Sequence, residues 1–336
     1  ILLMGPGPSC VSDSVYHALA KPTLGHLDPV FITIMDDIKG FLKELMGTEN
    51  ELTVPVSGTG SAGMETCFVN LINPGDKVLI LINGVFGTRM EDVASRLGAA
   101  VENLSFEWGT VIDLDPVAKK LAETKYDMVA VVHAETSTGV CNPVNEIGKL
   151  VQENSALYLV DCVTSMGGIE VKMDDWNIDA LYSGTQKCLS CPPGLAPVSF
   201  SNRAVEKLNN RKSKVPNWYL DLSMITQYWS GKSRVYHHTA PINMLYGLYQ
   251  ACHNIIDEGL EMVINRHSDM HQLLVEELDN IGLQLFVKEC DRLPMLNSVI
   301  IPDGANDAEV RSKLLNEYQI EIGGGLGPLA GRIWRI

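Results

Sequence analysis

The sequence predicts an α/β fold, in which a large domain with a mainly parallel sheet between helices precedes a smaller α+β domain. Three observations predict it. Several apolar runs are continuous rather than alternating, as in strands buried on both faces. Segments with helical apolar spacing separate these runs. Polar or glycine-rich loops follow the runs, and crossovers of this kind collect ligands at the carboxyl ends of strands.

The elements follow in order. Glu51-Leu-Thr-Val-Pro-Val-Ser57 reads as a short strand. Gly58-Thr-Gly-Ser-Ala-Gly63 is a glycine-rich turn, and Met64 to Ile72 is a helix stopped by Asn73-Pro-Gly-Asp76. Lys77 to Ile82 is a buried strand, and Gly87 to Gly98 is a helix with a glycine stop. Asp127 to His133 is a further strand, Val144 to Gln152 is helical, and Ala156 to Val160 is a strand that runs into Asp161. Ser57, Asp161 and the loop after His133 all fall at strand ends. After about Gly259 the pattern changes. A long helix, Leu260 to Ile281, leads into the apolar run Leu283 to Val287. Ser298 to Ile301, a helix near Asp307 to Glu317, and Ile320 to Ile322 follow. Two domains are expected, residues 1–259 and residues 260–336.

Composition bounds the function. Hydrophobic residues make up 46%, enough for a sizeable core. The formal net charge of −15 argues against nucleic acid and anionic membrane as partners. No apolar run approaches the roughly 18 residues that a membrane span requires. The eight cysteines are scattered, and Cys188 and Cys191 alone form a C-x-x-C pair. No second pair or nearby histidine accompanies it, so no metal site is expected. The expectation for this pair is small buried thiols beside Lys187, which suits a reducing compartment. The chain opens on Ile1-Leu-Leu-Met and stops in an expected strand at Trp334-Arg-Ile336. Further residues are expected at both ends, so targeting signals are not readable.

Chemistry enters at Lys187, in Ala180-Leu-Tyr-Ser-Gly-Thr-Gln-Lys187, and at Asp161. A lysine amine can form a Schiff base with an aldehyde cofactor. A buried aspartate can hold a pyridinium nitrogen protonated. These are the two protein groups that pyridoxal 5'-phosphate (PLP) needs most. Each has an ordinary reading too: a solvated lysine, and an aspartate that caps a helix. The glycine turn supplies a third element. Its backbone N–H groups at a helix start favour a phosphate, and Thr59 and Ser61 add hydroxyls. Its spacing is neither G-x-G-x-x-G nor a P-loop.

Gly5-Pro-Gly-Pro8, Ser57-Gly-Thr-Gly60, His133-Ala-Glu-Thr-Ser-Thr-Gly139, Val160-Asp161, Tyr182-Ser-Gly-Thr-Gln-Lys187, Tyr236-His-His-Thr239 and Gly323-Gly-Gly-Leu-Gly-Pro328 occur in this order. Together they resemble the class V aminotransferases of PLP fold type I, specifically the serine–pyruvate / alanine–glyoxylate aminotransferase group. The resemblance covers essentially the whole chain. It implies that Lys187 binds the cofactor and then moves a proton between the substrate α-carbon and the cofactor. It implies that Asp161 pairs with the ring nitrogen, and that Thr59, Gly60, Ser61 and Gln186 hold the phosphate. Thr136 stands where the family usually has a serine near the ring hydroxyl. Phe86 stands where many relatives have a tryptophan stacked on the ring. Arg335 is the implied clamp for the substrate carboxylate, and Gly25, with His26 beside it, the implied lining of the substrate pocket. Tyr236 and Thr239 are implied to reach the phosphate of a second subunit, giving a homodimer with shared active sites.

The expectation is ping-pong transamination from a small amino acid, alanine or serine, to glyoxylate or pyruvate. Within the family the competing donor is 3-hydroxykynurenine. A PLP lyase or cysteine desulfurase needs a catalytic cysteine on a mobile loop, and no cysteine here has that context. A PLP-fold binding protein without catalysis is the non-enzymatic rival, and intact Lys187, Asp161 and Arg335 argue against it. Cytoplasm or peroxisome is the expected location.

Overall fold

The computed structural model describes residues 1–229 and 234–336. A seven-stranded sheet forms its centre, in the order Leu52–Ser57, Leu195–Phe200, Ala180–Tyr182, Leu157–Asp161, Met128–Val132, Lys77–Ile82, Ala100–Ser105. Leu195–Phe200 runs antiparallel to both of its neighbours, and the other pairs are parallel. Met128–Val132 and Leu157–Asp161 are buried along their whole length. That burial on both faces is why these runs are continuously apolar.

Register places the chemistry. Val132, Asp161 and Tyr182 are partners in one row across three parallel strands. Partners in a row share a face of the sheet. The row lies at the carboxyl ends of the strands.

Helix Gly60–Leu71 begins four residues before the expected Met64, because the glycines form its first turn. A Cβ on Gly63 would stand 3.0 Å from Ala196 Cβ and 3.2 Å from Tyr182 Cβ. The bare backbone lets this helix lie close on the sheet. Helix Val85–Arg96 also starts earlier than the expected Gly87. The apolar run Leu283 to Val287 makes one isolated bridge, Leu285 to Val299, rather than a strand. Its first N–H, at Leu283, is taken by the Leu278 carbonyl at the end of the preceding helix.

The main core spreads over both faces of the large sheet. Leu278, Val299, Ile322 and Trp334 form a second core in the C-terminal part. A three-stranded sheet there contains Ser298–Ile300, Ile333–Arg335 and Gly323–Gly324. Residues Leu2–Leu3 pair in parallel with Ile320–Glu321 and tie the start of the chain to this part. Among the described residues no helix is long and apolar enough to cross a membrane.

Candidate active site

A cavity of about 230 Å³ opens at the carboxyl ends of the strands. Its lining brings together Gly60, Ser61, Phe86, Thr136, Asp161, Gln186 and Lys187, seven of the residues singled out by sequence. Thr59, Gly25, Tyr236, Thr239 and Arg335 are outside the lining. Thr59 is the N-cap residue of helix Gly60–Leu71, and its hydroxyl makes no capping bond. Gly25 is exposed, with nothing near its Cβ position. Tyr236 and Thr239 are exposed and hydrogen-bonded to each other at 3.2 Å.

Lys187 is placed by two segments far apart in sequence. Its Nζ donates to the Pro6 carbonyl. A Cβ on Gly7, whose φ is +102°, would meet that Nζ at 2.9 Å. Ser9 Oγ donates to the Lys187 carbonyl at 2.8 Å. The Gly5-Pro-Gly-Pro8 turn therefore lies against the lysine, and Gly7 has no room for a side chain. Burial, and next the Arg335 charge, push the Lys187 amine below its ordinary value. A depressed amine is more often uncharged, and so more able to attack a carbonyl or take a proton.

Asp161 is buried at the end of its strand. Its Oδ2 accepts from the Tyr182 hydroxyl at 2.6 Å, and its Oδ1 from the Val163 N–H at 2.8 Å. Burial pushes the carboxyl up to about 6, against the pull of those two hydrogen bonds and of the Lys187 charge. A positive group entering the cavity favours the ionised form.

Arg335 is buried behind the lining. Its Nε donates to the Gly324 carbonyl at 2.8 Å, and its Nη1 to the Thr136 carbonyl at 3.2 Å. These anchors fix the guanidinium and leave further N–H groups for an anion.

Met64, Arg89, Val132, Ala134, Val163, Thr164 and Tyr182 complete the lining. Arg89 Cζ stands 4.8 Å from the centre of the Phe86 ring. Sequence reasoning missed Arg89, although its i+3 spacing from Phe86 puts both on one helical face. Cys191 is buried and Cys188 partly so, its Sγ donating to the Thr164 carbonyl at 3.1 Å. Burial pushes both thiols up to about 12, which makes them poor nucleophiles.

The residues fit PLP. The Gln186 side-chain oxygen is buried at the cavity with no hydrogen-bond partner among the described residues. An amide flip turns that end into an N–H donor for a phosphate. A helix start at Gly60 and Ser61, a carboxyl at Asp161 and an amine at Lys187 surround the same space.

Comparison with known proteins agrees with this arrangement. The model of the aminotransferase class-V family matches residues 12–328. The solved alanine–glyoxylate aminotransferase of Nostoc sp. superposes with a TM-score of 0.97 at 48% identity, covering 99% of this chain and 88% of that one. The (S)-ureidoglycine–glyoxylate transaminase of Bacillus subtilis (strain 168) is 38% identical over 99% of this chain and 84% of its own. The alanine–glyoxylate aminotransferase of Drosophila melanogaster is 38% identical over 99% of this chain and 86% of its own. Membership of this family implies PLP as the cofactor. The chain belongs to the class-V aminotransferases, and is an aminotransferase of PLP fold type I.

Proposed function

We propose that this enzyme moves the amino group of a small amino acid, alanine or serine, to glyoxylate, with pyruvate as a further acceptor, in two ping-pong half-reactions. The observation that carries the reading is the joint placement of Lys187 and Asp161 in one cavity beside a glycine-led helix start. The glyoxylate in the names of the Nostoc, Bacillus and Drosophila relatives favours this acceptor. Their small donors favour alanine or serine over 3-hydroxykynurenine. The Bacillus relative adds (S)-ureidoglycine as a second donor worth testing.

In this reading PLP, when bound, supplies an electron sink for the charge released at the substrate α-carbon and stores the amino group between half-reactions. Asp161 holds a ring nitrogen in its charged form, and Tyr182 and the Val163 N–H keep the carboxylate aimed. Gly60, Ser61, Thr59 and Gln186 hold the phosphate. Phe86 walls the ring, and Thr136 offers its hydroxyl near it. Lys187, with its amine depressed by burial, takes the α-proton and returns it on the other side of the transfer. Arg335 receives the substrate carboxylate. Donor and acceptor share that group, so one guanidinium serves both half-reactions. Gly25 lines the entry for the substrate.

The reading includes a homodimer in which Tyr236 and Thr239 complete the partner's phosphate site. Their exposure in a single chain supports it. It also includes a division near Gly259 into a large and a small domain. The eight unpaired cysteines support a reducing compartment, cytoplasm or peroxisome. A donor panel against glyoxylate tests the substrates. kcat/KM is compared for alanine, serine, (S)-ureidoglycine and 3-hydroxykynurenine. Preference for the bulky aromatic donor overturns the assignment.

A further inference from the structure

Helix Val85–Arg96 carries Phe86 and Arg89 to the cavity, yet it has no cap of its own. Its N-cap residue is Gly84, which has no side chain. An α-helix leaves its first N–H groups without intrahelical partners, and a helix end buried without substitutes is costly. The partners here come from the short strand Ala134–Glu135 and the turn that follows it. Glu135 Oε2 accepts from the Phe86 N–H at 3.2 Å and the Gly87 N–H at 3.4 Å. Ser137 Oγ accepts from the Val85 N–H at 3.0 Å. Glu135 Oε1 in turn accepts from Ser137 Oγ at 2.5 Å and from the Ser137 N–H at 3.1 Å. Every partner of the carboxyl is a donor, and a negative charge is favoured at a helix N-terminus, although burial pushes the carboxyl up to about 7 against the pull of these hydrogen bonds. The fit is tight. A Cβ on Gly84 would stand 2.3 Å from Glu135 Cδ and 2.5 Å from Ser137 Oγ.

Glu135 is wholly buried and does not line the cavity. The next residue, Thr136, does line it, and the Thr136 carbonyl anchors Arg335. One carboxylate thus joins the helix bearing Phe86 to the segment bearing Thr136. We propose that Glu135 is a positioning residue for amino transfer, which acts through the helix start to hold the Phe86 ring against the bound cofactor. This rests on the reading of Phe86 as the wall of the cofactor ring.

The test is a double-mutant cycle on Glu135→Ala and Phe86→Ala. It is read by the PLP dissociation constant of the cofactor-free protein and by visible circular dichroism of the loaded protein. Glu135→Ala is expected to raise the dissociation constant about tenfold and to weaken the dichroic band. Glu135→Gln is expected to recover part of this, because its amide oxygen can face the helix N–H groups, while its NH₂ can donate to Ser137 Oγ but leaves the Ser137 N–H without its acceptor. In the Phe86→Ala background, Glu135→Ala is expected to add less than about twofold. If its effect is undiminished in that background, or absent in the native one, the inference is overturned. If Glu135→Ala fails to fold, Ser137→Ala enters the same cycle under the same criteria. An unmutated chain that does not bind PLP overturns the cofactor reading and this inference together. Binding with independent effects overturns the inference alone.

Discussion

Asp161 and Tyr182 are register partners on adjacent parallel strands, and the Tyr182 hydroxyl donates to Asp161 Oδ2 at 2.6 Å. The pairing gives a buried carboxyl at the cavity wall a donor. Tyr182→Phe removes that donor and leaves the ring in place. A hydrogen bond to a charged group contributes about 1.5–3 kcal/mol. PLP should bind about tenfold to a hundredfold more weakly in the variant, by titration of the cofactor-free protein. Unchanged affinity would show that the hydroxyl only fills space.

Asp161 also sets a pH dependence. Its carboxyl in the folded chain is pushed up to about 6, from about 3.9 in an unfolded chain. The folded state therefore holds the proton more tightly. The resulting stability is fully present below about pH 4 and is lost as pH rises through 6. In cofactor-free protein, the stability of wild type relative to Asp161→Asn should fall by roughly 2–3 kcal/mol between pH 4 and pH 7. Urea denaturation at the two pH values checks it. A constant difference would mean that Asp161 titrates normally. The same Asp161→Asn variant should fold, but lose most of its turnover and retain PLP poorly.

Much of this site was legible in the sequence. Lys187 and Asp161 stood out because each ends or follows a buried apolar run, and runs of that kind are read from composition alone. The glycine turn was legible as a helix start, but its extent was not. Gly63 lies against Ala196 and Tyr182, and Gly60 against Val163 and Gly184, and no local pattern encodes those contacts. The anchors of Arg335 lie beyond local patterns too, since Thr136 is 199 residues away. Helix Val85–Arg96 was placed late for a related reason. Its cap is Glu135, 49 residues from Phe86, where a sequence reading looks for Ser, Thr, Asp or Asn just before the helix.

Arg335→Lys should raise KM for donor and acceptor alike, by about tenfold or more. The guanidinium holds the Gly324 and Thr136 carbonyls through separate nitrogens and presents the rest of its fork. A single ammonium cannot do both. Steady-state kinetics with each substrate varied in turn check it. A rise for one substrate alone would contradict a shared clamp.

Subunit mixing tests the assembly. Tyr236 and Thr239 point outward in one chain, so they are expected to serve the partner's phosphate site. Lys187→Ala protein is mixed with a Tyr236→Phe, Thr239→Ala double variant under conditions of demonstrated exchange. Heterodimers then contain one site free of every substitution, and activity should rise above either parent. Demonstrated exchange with no rise would return both residues to their own chain.

The central claim is that the Lys187 amine, held under the Gly5-Pro-Gly-Pro8 turn, carries out the proton transfer of amino exchange. Its most direct test is a single half-reaction. Purified protein is loaded with PLP and given L-alanine without acceptor, and the pyruvate released per site is measured together with the visible spectrum. Native protein should release about one pyruvate per site with a matching spectral change, and glyoxylate should reverse the change. Lys187→Ala should release none on the same timescale. Near-native release of pyruvate from Lys187→Ala would contradict the account.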